Sequence, residues 1–172
     1  MNVYLCRHGA CEDIEEGKSD AGRRLTADGR KTVETTLPGL KSLIPGIDYI
    51  LTSPLKRAVE TADVIAGEYK CAEFVEQVSE LADRGNEKKI ASLLNKIIGK
   101  EHVVVVGHMP HLGELAQFLA GENMDAPPKI KKAGVAKIHI KGFPEQGSGL
   151  LRWVMTADEL KMAGKQPPDN KS

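Results

Sequence analysis

Cysteine is scarce in this chain, with three in 172 residues, at Cys6, Cys11 and Cys71. An odd, sparse set builds no disulfide framework and reads as free thiols in a reducing compartment. Long apolar runs are missing as well. The longest purely aliphatic stretch, Val103 to Val106, is far too short to cross a bilayer. Met1-Asn2-Val3-Tyr4-Leu5 has neither the basic region nor the small-residue cleavage site of a secretory leader. Neither sign of charge is in excess, because 24 Lys plus Arg balance 24 Asp plus Glu. A net charge of zero gives no general attraction to nucleic acid or membrane surfaces. Any bound anion must therefore be held by local positive charge. Internal repeats and a convincing interdomain linker are also lacking. These absences lead to the expectation of a cytoplasmic, single-domain monomer with no nucleic-acid or membrane partner.

What is present fits an ordinary globular protein, at 41% hydrophobic and 28% charged residues. Asn2 to Cys6 reads as a buried strand that stops at Arg7-His8-Gly9. Glu12 to Arg24 is polar and is expected to be a surface loop. Thr26 caps a helix with Asp28 in its first turn, and this helix runs toward Leu43 with a bend or break at Pro38. Tyr49 to Thr52 is a second strand, followed by a helix from Ser53-Pro54 to about Tyr69. A third strand is expected at Ala72 to Val75, and a helix over Glu87 to Ile98. Val103 to Val106 is the clearest core strand, followed by a helix from Pro110 to about Gly121. Two further strands, Ala133 to Ile140 and Gly149 to Met155, precede a short helix at Asp158 to Met162. Strands alternating with helices argue for an α/β domain with a mostly parallel sheet.

In such sheets ligands bind beyond the carboxyl ends of the strands. Three of those ends carry related chemistry here. The first ends in Arg7-His8-Gly9, the second leads into Ser53 to Arg57, and the Val103 strand ends in Gly107-His108. A phosphoryl group needs rigid cationic donors, and a guanidinium is always charged and bonds two oxygens at once. Arg57 falls in the first turn of its helix, where free N–H groups also favour an anion. Gly9 is expected to remove a side chain where substrate approaches the backbone. A histidine attacks phosphorus through a neutral ring nitrogen if the other nitrogen holds its proton on a backbone acceptor. His8 suits that role, and His108, if protonated, would bind the transferring oxygens. The scheme requires no metal and no other cofactor. Taken singly, each residue is more simply a surface charge or a structural histidine. Their convergence on one sheet edge favours a phosphate site.

Other chemistries fail on spacing. A cysteine phosphatase needs Arg six residues after its Cys, but Cys6, Cys11 and Cys71 lead to Glu12, Gly17 and Gln77. Gly17-Lys18-Ser19 lacks the upstream glycine of a phosphate-binding P-loop, which would fall at Glu12. His108 and His111 have no partner at zinc-site spacing. Cys11 is placed near the pocket mouth, most simply as an inert thiol.

Leu5-Cys6-Arg7-His8-Gly9 resembles the signature of the histidine phosphatase superfamily, formerly named after phosphoglycerate mutase. Leu25 to Gly29, Ser53 to Ala58 with Thr61-Ala62, and Val106-Gly107-His108 match its later landmarks in order. Within it the chain is similar to the phosphohistidine phosphatases of the SixA type. Supporting segments are Ser19-Asp20 through Arg23, Glu80-Leu81 before Gly85, and Leu160 to Ala163. The resemblance implies a three-layer α/β/α fold of the phosphoglycerate mutase kind over residues 1–163, with 164–172 a disordered tail. It implies His8 as nucleophile and a transient phosphohistidine that water hydrolyses, with Arg7, Arg57 and His108 holding phosphate. The implied substrate is phosphohistidine in a protein; a small phosphorylated metabolite, or phosphate binding without turnover, is the alternative. Mutase-type members carry Ser or Thr and then Asn after Arg-His-Gly, where this chain has Ala10-Cys11-Glu12-Asp13-Ile14. They also carry a Glu four residues before a Gly, where Leu81 stands before Gly85, leaving Glu80 and Asp83 as candidate proton donors. Arg23 is a candidate accessory anion contact.

Overall fold

The computed structural model describes residues 1–14, 19–82 and 86–165. Its centre is a six-stranded sheet, built from β1 (Asn2–Arg7), β2 (Tyr49–Thr52), β3 (Val75–Gln77), β4 (His102–Gly107), β5 (Val135–Ile140) and β6 (Gly149–Met155). The strand order is β3-β2-β4-β1-β5-β6. The first four in that order run parallel, and β5 is antiparallel to both β1 and β6. The helices are α1 (Ala27–Leu43), α2 (Lys56–Tyr69), α3 (Glu87–Lys96), α4 (His111–Ala120) and α5 (Ala157–Ala163).

Two cores explain why β1 and β4 read as continuous apolar runs instead of alternating ones. Val3, Leu5, Val103 and Val105 pack on one face with Ile90 and Leu94 of α3 and Leu112, Leu115 and Leu119 of α4. Tyr4, Cys6, Val104 and Val106 face the other side, against Val33 and Leu40 of α1, Ile65 of α2 and Leu160 of α5. Fully burying one such aliphatic side chain is worth roughly 1.5–3 kcal/mol. A one-residue slip would exchange the two sets between differently shaped cores, so register is strongly specified.

That register positions the site. Cys6 pairs with Val106 and Arg7 with Gly107, while Thr52 pairs with Val106 on the other side of β4. The three parallel strands therefore end within one residue of each other. His8, Ser53 and His108 each lie just past those ends.

Several sequence expectations shift. The third strand lies at Val75–Gln77, and Ala72–Phe74 is a 3-10 turn. Pairing with β2 begins only at Ile50 with Val75, so the preceding residues have no ladder partner. Helix α2 starts at Lys56, not Pro54. Ser53 still belongs to the sheet edge, its N–H donating to Val106 O at 2.9 Å. Helix α1 runs unbroken through Pro38. Pro38 lies on the exposed face, where water is at hand for the carbonyl that proline leaves without its helical donor. The tail expected to be disordered falls, over 166–172, outside the described residues. Among the described residues no helix is long and apolar enough to cross a membrane.

Candidate active site

His8 follows β1 directly, and its backbone stays on the sheet, N–H donating to Gly107 O at 3.1 Å. The ring is only 6% exposed. Its Nδ1 lies 2.7 Å from Gly9 O. A carbonyl only accepts, so Nδ1 carries the ring proton, and in the neutral ring Nε2 keeps its lone pair. Burial, then the charges of Arg57, Arg7 and Lys132, push the His8 pKa down to about 4, despite the opposing bond to Gly9. The ring is thus neutral at physiological pH.

His108 stands opposite, with ring centroids 5.0 Å apart and planes at 53°. Burial, and after it the neighbouring His8, Arg57 and His111, push its pKa down to about 3. Burial beside cationic and titratable neighbours thus leaves the His108 ring neutral near pH 7. Its Nε2 lies 2.7 Å from Ser53 Oγ, and that oxygen also accepts the Leu55 N–H at 3.3 Å. Nδ1 is buried without a hydrogen-bond partner among the described residues. In the tautomer that takes the serine proton on Nε2, Nδ1–H is an idle donor for an incoming oxyanion.

Arg57 is the second residue of α2 and is 7% exposed. Its guanidinium is occupied by Asp20, donating from Nη1 to the backbone oxygen at 2.8 Å and from Nη2 to Oδ2 at 2.9 Å. Arg23 takes the other carboxylate oxygen, Nη1 to Oδ1 at 2.8 Å. The bond to Arg23 and the charge of Arg57 hold the Asp20 carboxyl below the usual range against partial burial. Asp20 as the partner of Arg57 escaped the sequence reading. The surrounding loop is polar throughout, so no pattern singles out that carboxylate. Arg23 is joined to this network through Asp20 and touches Cys11 Sγ at 3.3 Å. Cys11 itself is a buried thiol.

Arg7, at the end of β1, donates from Nη1 to Ile130 O at 3.1 Å, and its buried Nε has no partner among the described residues. Gly9 donates its N–H to Thr61 Oγ1 at 3.2 Å, which in turn bonds Arg57 O at 2.8 Å. One hydroxyl on α2 thereby links the turn after β1 to the arginine. Glycine at position 9 has a packing reason of its own. A Cβ there would come within 2.9 Å of Gly29 O and 3.0 Å of Val33 Cγ2, so the tight approach is to α1.

Glu80 lies in a 3-10 turn after β3, half-buried, with its own backbone N–H and Ser79 Oγ holding its carboxyl below the ordinary range. A proton donor near neutrality needs the opposite shift. Asp83 lies outside the described residues. Among the described residues no group of three His, Cys, Asp or Glu side chains is placed to hold a metal ion.

Residues 3–88 match the histidine phosphatase superfamily (branch 1). The chain belongs to that superfamily. Its coarse activity follows as that of a histidine phosphatase. Over 166 residues it is 28% identical to the phosphohistidine phosphatase SixA of Escherichia coli strain K12, covering 95% of this chain and 98% of that one. A solved structure of the protein histidine phosphatase SixA complexed with tungstate superposes with a TM-score of 0.82 at 26% identity, covering 93% and 99% of the two chains. Phosphoglycerate mutase from Bacillus anthracis shares the fold at 17% identity, with a TM-score of 0.71 over 96% of each chain. The three-layer α/β fold of the histidine phosphatases is thus the fold of this chain.

Proposed function

We propose that the chain dephosphorylates phosphohistidine in proteins, without a metal, through a phosphorylated His8. One observation carries the reading. The 2.7 Å contact of His8 Nδ1 with Gly9 O frees Nε2 on a buried ring that lies beside His108 and in the field of Arg57 and Arg7. Similarity along nearly the whole chain to a phosphohistidine phosphatase supports the substrate class. Tungstate on that relative's structure is a tetrahedral oxyanion like phosphate.

In the first step His8 Nε2 attacks phosphorus and the substrate's P–N bond breaks, its electron pair returning to the leaving imidazole. That imidazole departs neutral when its second nitrogen already carries a proton, so no dedicated carboxylic acid is needed. The ring of His8 becomes cationic, and Gly9 O holds its Nδ1–H. Arg7, Arg57 and the His108 donor take up the charge on the transferring oxygens. Water then attacks phosphorus, the P–Nε2 bond breaks with its electrons returning to His8, and a proton and inorganic phosphate are released. Asp20 neutralises charge on Arg57 that the phosphoryl group would otherwise meet, and so competes with it.

The test compares wild type with His8→Ala, both with chelator, on a phosphohistidine-bearing protein, an aryl phosphate and a panel of phosphorylated metabolites. Phosphate release from the phosphoprotein that vanishes in His8→Ala is the expected result. Equal rates in the two proteins would remove His8 from the mechanism. Turnover of metabolites alone would overturn the protein substrate.

A further inference from the structure

The loop before β5, Pro127-Pro128-Lys129-Ile130-Lys131-Lys132-Ala133, carries three lysines and no acid in a chain of zero net charge. It is bound to the site by its backbone. Ile130 is buried in the core, and its carbonyl accepts from Arg7 Nη1 at 3.1 Å. Ala133, at φ +56°, donates its N–H to both Arg7 O at 3.1 Å and His8 O at 3.2 Å. Gly134 bonds Lys131 O at 2.8 Å and accepts from Arg7 N–H at 3.1 Å. A segment pinned at 130, 133 and 134 has little freedom to swing away. The side chains of Lys129, Lys131 and Lys132 remain exposed.

The charges on this loop are not equivalent. Lys131 lies near enough to Glu159 to help hold that carboxyl down. Lys132 has no ion pair among the described residues, and its field falls on His8. Asp20 neutralises Arg57, and an arriving phosphoryl group would face Arg7 and Arg57. The two charges of a phosphoryl dianion are matched by those two guanidinium groups. Lys132 is then a surplus cation on a fixed strap, one residue before the N–H that His8 O accepts at 3.2 Å, and open to solvent.

We infer that Lys132 selects among substrates by pairing with a second anion, a carboxylate that flanks the phosphohistidine on the substrate protein. This rests on the phosphohistidine reading above and names the sequence context that the pocket favours. An exposed ion pair is worth little in stability, but at a binding rim it separates substrates by a few-fold and does so more strongly at low salt.

The experiment measures kcat/KM for phosphohistidine peptides whose neighbouring residues are acidic, neutral or basic. Wild type, Lys132→Ala, Lys132→Arg and Lys132→Glu are compared by the acidic-to-neutral ratio within each protein, so any change in overall rate cancels. Wild type and Lys132→Arg are expected to prefer the acidic peptide about three- to fivefold at low salt, through KM. The ratio falls to about one in Lys132→Ala, and the basic peptide is preferred by Lys132→Glu. A wild-type ratio of one, or a preference that survives in Lys132→Ala, would overturn the inference. If aryl phosphate is hydrolysed and no phosphohistidine peptide is, the substrate class fails instead. Phenyl phosphate against its carboxyphenyl analogue then tests the lysine alone, and equal ratios in wild type and Lys132→Ala overturn its role.

Discussion

His8 and His108 each stand one residue past the last register pair of β1 and β4, Arg7 with Gly107, and their ring centroids lie 5.0 Å apart. Adjacent parallel strands ending in register bring the two rings together without any long-range side-chain bond between them. The cost of that proximity is electrostatic. Burial and the charges of Arg57 and Arg7 suppress protonation of His8, burial and the neighbouring His8 and Arg57 suppress that of His108, and a neutral nucleophile is what results.

The acid limb of the activity profile should therefore lie far below the ordinary histidine range. Because kcat/KM reports the free enzyme, its loss on acidification should be centred near pH 4, where His8 takes a proton, with full activity at pH 6.5. A steady-state profile for aryl phosphate hydrolysis between pH 3.5 and 8, as far as folding permits, checks this. A limb centred near 6.5 would mean an ordinarily basic His8, and the burial argument would be wrong.

Stability should follow the same groups. Each ring has a folded pKa, about 4 for His8 and about 3 for His108, below the unfolded 6.5. Below 6.5 the unfolded chain binds protons that the folded one refuses, so stability is full above 6.5 and falls as pH drops through the window toward 4. The loss is on the order of a few kcal/mol, and the two contributions are not additive because the rings are coupled. Thermal melts from pH 7 to 4.5 should fall more steeply for wild type than for a His8→Ala, His108→Ala double variant. Parallel curves would assign the acid sensitivity to other groups.

Asp20 competes with phosphate for Arg57, so Asp20→Asn should tighten binding of inorganic phosphate. With Asp20 half exposed and a charge-assisted bond at stake, the expected gain is about three- to tenfold in the inhibition constant. Competitive inhibition of aryl phosphate hydrolysis measures it. Weaker inhibition in the variant would mean that Asp20 holds the guanidinium in place and does not contest its ligand.

Gly9→Ala should act on stability before it acts on substrate. The added methyl meets Gly29 O and Val33 of α1, an overpacking that costs about 1–3 kcal/mol. A thermal melt should show a drop of several degrees, about 2–4 °C for each kcal/mol in a chain of this size. An unchanged melting temperature with a raised KM would restore the view that Gly9 clears space for substrate.

Much of the site was legible in the residues because the strands that carry it are continuous apolar runs with abrupt polar ends. Asn2 to Cys6 stopping at Arg7-His8-Gly9, and Val103 to Val106 stopping at Gly107-His108, mark both histidines as edge residues. Parallel topology then places those edges together. Hydrophobic periodicity and capping residues are local, so a sequence expresses them directly, as it does the ordered landmarks of the superfamily.

Contacts between segments distant in the chain were decided by tertiary structure alone. Asp20 on Arg57, Ser53 on His108 and Ile130 O on Arg7 span 37, 55 and 123 residues. No local pattern encodes which of several equivalent polar groups will meet. Folding also decided protonation, since local hydrogen bonds hold the Glu80 carboxyl below its ordinary range and burial keeps both pocket histidines neutral. The sequence by itself determined which side chains reach the sheet edge; packing determined what each of them touches and whether it carries a proton.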